Sequence, residues 1–258
     1  MKLLKLFACA IALFTSFLVV AEVPKEIDEK IRKNFKKSLP SLKIDTIKSS
    51  PIPKLYEITS GPIIMYVTED AQFAISGDIL DLKDGETNVT EEARKAARIH
   101  ALNQLGEKHM IVYPAGKPKY EVTVFTDLDC VYCRKFHAQM DQLNNMGITV
   151  RYVAFPRAGA QSTSFEKAVN VWCAENPQQA LTKAKQGQPV PKATCDTHKI
   201  NEQFHLGALS GISGTPTLIL QDGTLVPGFY AADTLLGLLQ ETTNTKKAHV
   251  NKNKKKNS

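Results

Sequence analysis

The chain has 258 residues, 43% of them hydrophobic, with 14 glycines, 13 prolines and 5 cysteines. That length and apolar content suit one large domain or two compact ones, and they exclude a fibrous or wholly disordered chain. The formal charge of +7 invites an anionic partner, yet residues 22–240 carry 25 basic and 25 acidic side chains, so nucleic-acid binding gains no support.

Lys2 and Lys5 precede an apolar run from Leu6 to Val20, and Val19-Val20-Ala21 forms a small-residue cleavage pattern before Glu22. A basic start, an apolar run too short to span a bilayer and such a pattern predict a cleaved signal over residues 1–21 and an exported mature chain. Lipoprotein processing at Cys9 is the rival, but that cysteine comes too early to leave an apolar core before it. Ile27, Ile31, Phe35 and Leu39 then recur every four residues and predict an amphipathic helix closed by Pro40. Strand-like runs follow at Lys43–Ile47, Leu55–Thr59, Ile63–Val67, Phe73–Ile75 and Ile79–Leu82, separated by Pro, Gly and Asp punctuation. Residues 22–85 thus read as one helix on a small antiparallel sheet. A module with so little core of its own is completed by pairing with a copy of itself.

Thr90, with Glu91 and Glu92 behind it, is a good N-cap for an alanine-rich helix over Glu91–Leu105 that Gly106 would end. Its length would be about 22 Å at 1.5 Å per residue. The modest apolar content predicts a semi-rigid linker over 86–110 rather than a core helix. Beyond it the pattern alternates: a strand over Tyr120–Thr126, a helix over Cys130–Met146, a strand over Ile148–Phe155, then polar helical sequence holding Cys173 and Cys195. Strands at Ile212–Leu220 and Leu225–Tyr230 and a helix over Ala231–Gln240 close the region. With Cys-x-x-Cys opening the first helix, residues 111–241 read as an α/β thioredoxin fold with a helical insertion. The tail, 242–258, is rich in Lys and nearly free of apolar residues, and is expected to be disordered.

The spacing of Cys130 and Cys133 suits zinc ligation and a reversible disulfide equally well. Once the signal is removed, Cys130, Cys133, Cys173 and Cys195 remain, an even number that favours disulfide chemistry in an oxidising compartment. Cys173 and Cys195 are too far apart for a second zinc knuckle, and His100, His109, His137, His198, His205 and His249 offer no tight pair. No metal and no cofactor is expected, and the histidines read as surface or helix-face residues. At the start of a helix, unpaired N–H groups and the positive helix end would hold Cys130 as a thiolate, the nucleophilic form. Cys133, one turn inside, would stay neutral and release a trapped partner; a static disulfide is the bland alternative. Gly214-Thr215-Pro216-Thr217 stands at the entrance of the apolar run Leu218-Ile219-Leu220. A cis Thr215-Pro216 bond there would turn the Thr215 backbone toward the Cys130 sulfur and offer an edge to an extended peptide. A trans proline at a strand start is the alternative.

Phe125-Thr126-Asp127 ahead of Cys130-Val131-Tyr132-Cys133, then GITVRYVAFPR (147–157), VWCAENPQQA (171–180), GISGTPTLIL (211–220) and DGTLVPGF (222–229), form one set of motifs, joined upstream by MYVTEDAQFAISGDILDL (65–82). Together they resemble the periplasmic DsbC/DsbG disulfide isomerase family of the thioredoxin superfamily over nearly the whole mature chain. The resemblance implies a V-shaped homodimer in which cystatin-like α+β N-terminal domains pair, linker helices reach outward and two thioredoxin domains face an apolar cleft. It implies that Cys130 is the nucleophile, that Pro216 is cis and that Cys173–Cys195 is a structural disulfide. It further implies misoxidised exported proteins as substrates in the periplasm of a Gram-negative bacterium, and a DsbD-like membrane reductase that keeps Cys130 and Cys133 reduced. Substrate contacts are expected at Thr215, Pro216, Val131 and Tyr132.

A bridge over the Cys173–Cys195 loop would stabilise by about 3 kcal/mol through loop-closure entropy, with reactive resolving cysteines as the rival reading. The family dipeptide is usually Gly-Tyr, and Val131-Tyr132 stands here, which leaves open the balance between isomerase and dithiol oxidase; a thiol-independent chaperone is a further alternative. Thioredoxin carries a buried acid six residues before its first cysteine, where this chain has Val124. Asp127 and Asp129 lie nearer and are expected to be solvated.

Overall fold

The computed structural model describes residues 23–83 and 87–256, the last twelve of them by their backbone. The expected signal over 1–21 lies outside the described residues. Helix α1 (Lys25–Ser38) presents Ile31 and Phe35 to a sheet of four antiparallel strands, β1 (Thr46–Ser49), β2 (Leu55–Ser60), β3 (Ile63–Thr68) and β4 (Ala74–Ile75), in that spatial order. Burial alternates along β2, so Tyr56 and Ile58 meet Ile31, Phe35 and Val67 in a small core. A two-residue ladder, β5 (Leu80–Asp81) with β6 (Thr87–Asn88), leads into the next helix.

Helix α2 (Val89–Leu105) departs from the linker expected of it. Its N-cap is Asn88, whose side chain accepts from the Glu91 amide at 2.9 Å. Thr90, expected in that role, is buried instead; its hydroxyl accepts from the Ile79 amide at 2.8 Å and shares a 2.6 Å hydrogen bond with Tyr66 of β3. Toward its other end Leu102 and Leu105 are buried against Phe125, Val153, Phe155 and Ile219. Each leucine placed so contributes about 2 kcal/mol relative to exposure. The helix is therefore part of the core, because its few apolar residues fall on one stripe.

The second sheet has the order β11-β10-β8-β9-β7, built from β7 (Ile111–Tyr113), β8 (Tyr120–Thr126), β9 (Ile148–Ala154), β10 (Thr217–Leu220) and β11 (Leu225–Pro227). Only β8 and β9 run parallel, as a strand-helix-strand crossover requires. The crossover is two helices rather than the single one expected over Cys130–Met146: α3 (Val131–His137) and α4 (Met140–Asn145). The break frees Gln139, whose amide donates to the Tyr230 carbonyl at 2.8 Å and accepts from the Ala232 amide at 2.9 Å.

One face of the sheet packs Val122, Val124, Val150 and Leu218 against Phe136, Leu143 and Leu235. The insertion comprises α5 (Thr163–Trp172), α6 (Pro177–Lys185) and α7 (His198–Leu209), and a Cys173–Cys195 disulfide joins the end of α5 to the loop before α7. Strand β10 is shorter than the run Ile212–Leu220 because Pro216 brings no ladder N–H. The closing helix, α8 (Ala232–Lys256), continues past Gln240 through sequence expected to be disordered. That stretch contains neither Gly nor Pro to stop it.

Candidate active site

Strand β8 delivers the chain to the edge of the sheet, and Cys130 caps α3 with its sulfur accepting from the Cys133 amide at 3.4 Å. The loop before β10 lies opposite. There the Thr215-Pro216 bond is cis, and the Cys130 thiol donates to the Thr215 carbonyl at 3.1 Å. Cys130 and Cys133 are free thiols with very different surroundings. Burial works to raise the Cys130 pKa, but contact with Thr215, the amide and thiol of Cys133 and the Arg157 charge together hold it below the ordinary thiol value. Burial dominates at Cys133 and raises its pKa, against the opposing Lys185 charge and the hydrogen bond from the Thr126 side chain.

Cys130 is only 3% exposed, whereas its neighbours Val131 and Tyr132 are 61% and 57% exposed. The Tyr132 ring stands 6.4 Å from Phe229, itself exposed, and Lys135 Nζ lies 5.3 Å above Tyr132. These three apolar side chains form a rim around an otherwise covered sulfur. The expected positions Thr215, Pro216, Val131 and Tyr132 are thus gathered at one edge with Cys130, while Cys173 and Cys195 are bridged to each other and supply no sulfur to it. A four-cysteine zinc site is removed by that bridge.

Asp129 is partly exposed and pairs with Lys167 at 2.6 Å. Asp127 is not solvated as expected. One carboxylate oxygen accepts from the Arg157 amide (2.9 Å) and guanidinium (3.1 Å), the other from the Asp129 amide (2.7 Å) and Ser164 hydroxyl (2.8 Å). Burial favours its neutral form, and these four hydrogen bonds outweigh it, leaving its pKa below the usual carboxylate range. The parallel register Thr126↔Ala154 explains the meeting, because the chain leaves both strands at the same edge.

Sequence reasoning also missed two residues beneath the motif. His137, read as a surface or helix-face residue, is buried beside Tyr152 and Thr182. Lys185, at the end of α6, donates through Nζ to the Thr126 hydroxyl at 2.6 Å and to the Asp127 carbonyl at 3.0 Å. Burial brings its pKa down to about 8.

A thioredoxin fold that places a Cys-x-x-Cys at a helix N-terminus, with the first thiol favoured as thiolate and the second held protonated, defines a thiol:disulfide oxidoreductase. A Thioredoxin-like domain family matches residues 107–243, and a family described as Disulfide bond isomerase protein N-terminal domain matches residues 22–91. The chain is 35% identical to the thiol:disulfide interchange protein DsbC of Salmonella typhimurium over 88% of its own length and 95% of the relative's. For the DsbC of Haemophilus influenzae the identity is 34%, covering 89% and 98%, and for that of Escherichia coli K12 it is 37%, covering 78% and 83%. The chain belongs to the DsbC family of thiol:disulfide interchange proteins, and its activity is protein disulfide exchange and isomerisation.

Proposed function

We propose that Cys130 is the nucleophile of this isomerase and Cys133 its resolving thiol. The Cys130 thiolate attacks one sulfur of a misplaced disulfide, forming a mixed disulfide and releasing a substrate thiolate. A different substrate thiolate then attacks the substrate sulfur of that bond, creates a new pairing and restores the Cys130 thiolate. If this stalls, Cys133 attacks the Cys130 sulfur, the substrate leaves as a thiolate and the enzyme pair is left oxidised. A DsbD-like membrane reductase returns the two electrons. The observation that carries the reading is the unlike placement of the two thiols: Cys130 caps α3 and faces the Thr215 carbonyl at the cis Thr215-Pro216 bond, beside the exposed Val131 and Tyr132, whereas Cys133 is buried inside the first turn.

Thr215 and Pro216 present a backbone edge to an extended substrate, and Val131 and Tyr132, with Phe229, hold its apolar side chains. Cys173–Cys195 is a structural staple. The protein works as a homodimer on misoxidised exported proteins in the periplasm, reached through a signal over residues 1–21. The test is acid-quenched trapping. Cys133→Ala is expected to accumulate mixed disulfides with substrate while Cys130→Ala forms none and loses isomerisation; equal trapping by both variants would overturn the roles.

A further inference from the structure

Residues 22–240 carry 25 basic and 25 acidic side chains, and residues 241–258 then add a single acid, Glu241, and six lysines, Lys246, Lys247, Lys252, Lys254, Lys255 and Lys256. The positive excess beyond residue 21 is therefore gathered in one short segment. That segment is the outer half of α8, whose first turns bury Leu235 and Leu239 in the core. Beyond Asn244 the helix runs on through Lys256, about 18 Å at 1.5 Å per residue.

The composition of this outer half suits neither a protein core nor insertion into lipid, because only Ala248 and Val250 are apolar among residues 245–256. Among the described residues no helix is long and apolar enough to cross a membrane. Lys252 stands three residues from Lys255 and four from Lys256, spacings at which like charges weaken an isolated helix. An external anionic surface relieves that repulsion, and the sequence after Glu241 supplies no carboxylate side chain to do so. Six charges of one sign, with almost no apolar side chains among them to fill a shaped pocket, match an extended anionic surface.

We propose that the lysine-rich end of α8 is a peripheral docking surface for a bilayer containing anionic phospholipids, held by headgroup phosphates outside the hydrocarbon. Each lysine near such a surface strengthens attachment by roughly fivefold, and the attraction fades within a Debye length, about 8 Å at physiological salt. A homodimer carries two such segments, so attachment of the second becomes intramolecular once the first has bound. None of these lysines belongs to the thiol site.

The test cosediments the purified exported protein with sucrose-loaded vesicles of phosphatidylcholine, with or without phosphatidylglycerol. Vesicles containing phosphatidylglycerol should carry the protein down at about 0.1 M NaCl and release it at about 1 M, whereas phosphatidylcholine alone should leave it in solution. Lys252→Gln, Lys254→Gln, Lys255→Gln and Lys256→Gln combined in one chain should weaken binding at least tenfold. Arginine at the same four positions keeps the charge and should hold binding within about twofold of the wild type. Both variants should melt as the wild type does, because Leu235 and Leu239 still anchor α8. Orthophosphate should release no more protein than NaCl of equal ionic strength, which separates a bilayer from a site for free phosphate. Equal binding to neutral vesicles, a glutamine variant that still sediments, an arginine variant lost like the glutamine one, or release specific to orthophosphate would each overturn the proposal.

Discussion

His137 lies one turn beyond Cys133 on α3, its ring nitrogens 3.2 Å from the Tyr152 hydroxyl and 3.1 Å from the Thr182 hydroxyl. Burial, with a smaller contribution from the Lys185 charge, lowers its pKa from 6.5 to about 4. The unfolded chain therefore binds one more proton than the folded one between pH 6.5 and pH 4. Stability from this residue is present above pH 6.5 and is lost as pH falls through that window, by about 3 kcal/mol in all. Urea midpoints of the wild type and of His137→Gln, compared from pH 7 to pH 4, should converge as the wild type loses this term. Parallel pH dependences for the two proteins would show that His137 is not buried as a neutral ring. The sequence could not reveal this, because α3 periodicity marks a helix face without saying that Tyr152 and Thr182 close over it. The unlike surroundings of Cys130 and Cys133, one capping α3 and the other inside its first turn, were legible because a helix N-terminus treats its first and fourth residues differently. Asp127 was misread for lack of the parallel register that brings Arg157 to it, although FTD and FPR both end strand-like runs.

Helix α2 shows the same limit at the level of an element. Counted over its length, its apolar residues are few, and a solvated spacer follows from the count. Their placement matters more: Ala97, Ala101, Leu102 and Leu105 share one side, and the structure buries all four. Arg98 fixes that side further, donating to Glu91 at 2.6 Å and to the Gly223 carbonyl at 3.2 Å in the turn between β10 and β11. Gly223 has a positive φ of 89°, and a Cβ there would collide with the Lys95 carbonyl on α2. Gly223→Ala combines backbone strain with loss of that close approach and should destabilise by about 2 kcal/mol or more. Thermal melting and proteolysis within α2 check it together. An unchanged midpoint with unchanged cleavage would mean that the helix is not docked at this turn. The strands around the turn were legible from β-branched runs, whereas the docking is a contact across 125 positions of sequence that no local pattern encodes.

At the scale of the whole molecule the two-part architecture was readable, since each part changes its hydrophobic period where the structure changes its elements. The N-terminal part leaves something unfinished. Strand β4 is an edge of its sheet, and Phe73 and Ile75 there, with Leu80 and Leu82 a few residues further along the chain, are all exposed, Phe73 at 64% and Leu82 at 76%. An open edge beside several large apolar side chains is a place where another chain adds on. A second copy would satisfy it with the same residues on both sides, as a two-fold interface does. Phe73→Glu combined with Leu82→Glu puts like charges into that contact and should leave a monomer, read as a halved mass by sedimentation. Cys130 lies in the other domain, so its alkylation rate by a small reagent should be unchanged, while isomerisation of a misfolded protein should fall at least tenfold if both thioredoxin domains of the dimer act on one substrate. A dimer surviving both glutamates would place the interface elsewhere; a monomer with full isomerase activity would mean that one thioredoxin domain and its apolar rim of Val131, Tyr132 and Phe229 suffice to hold the substrate.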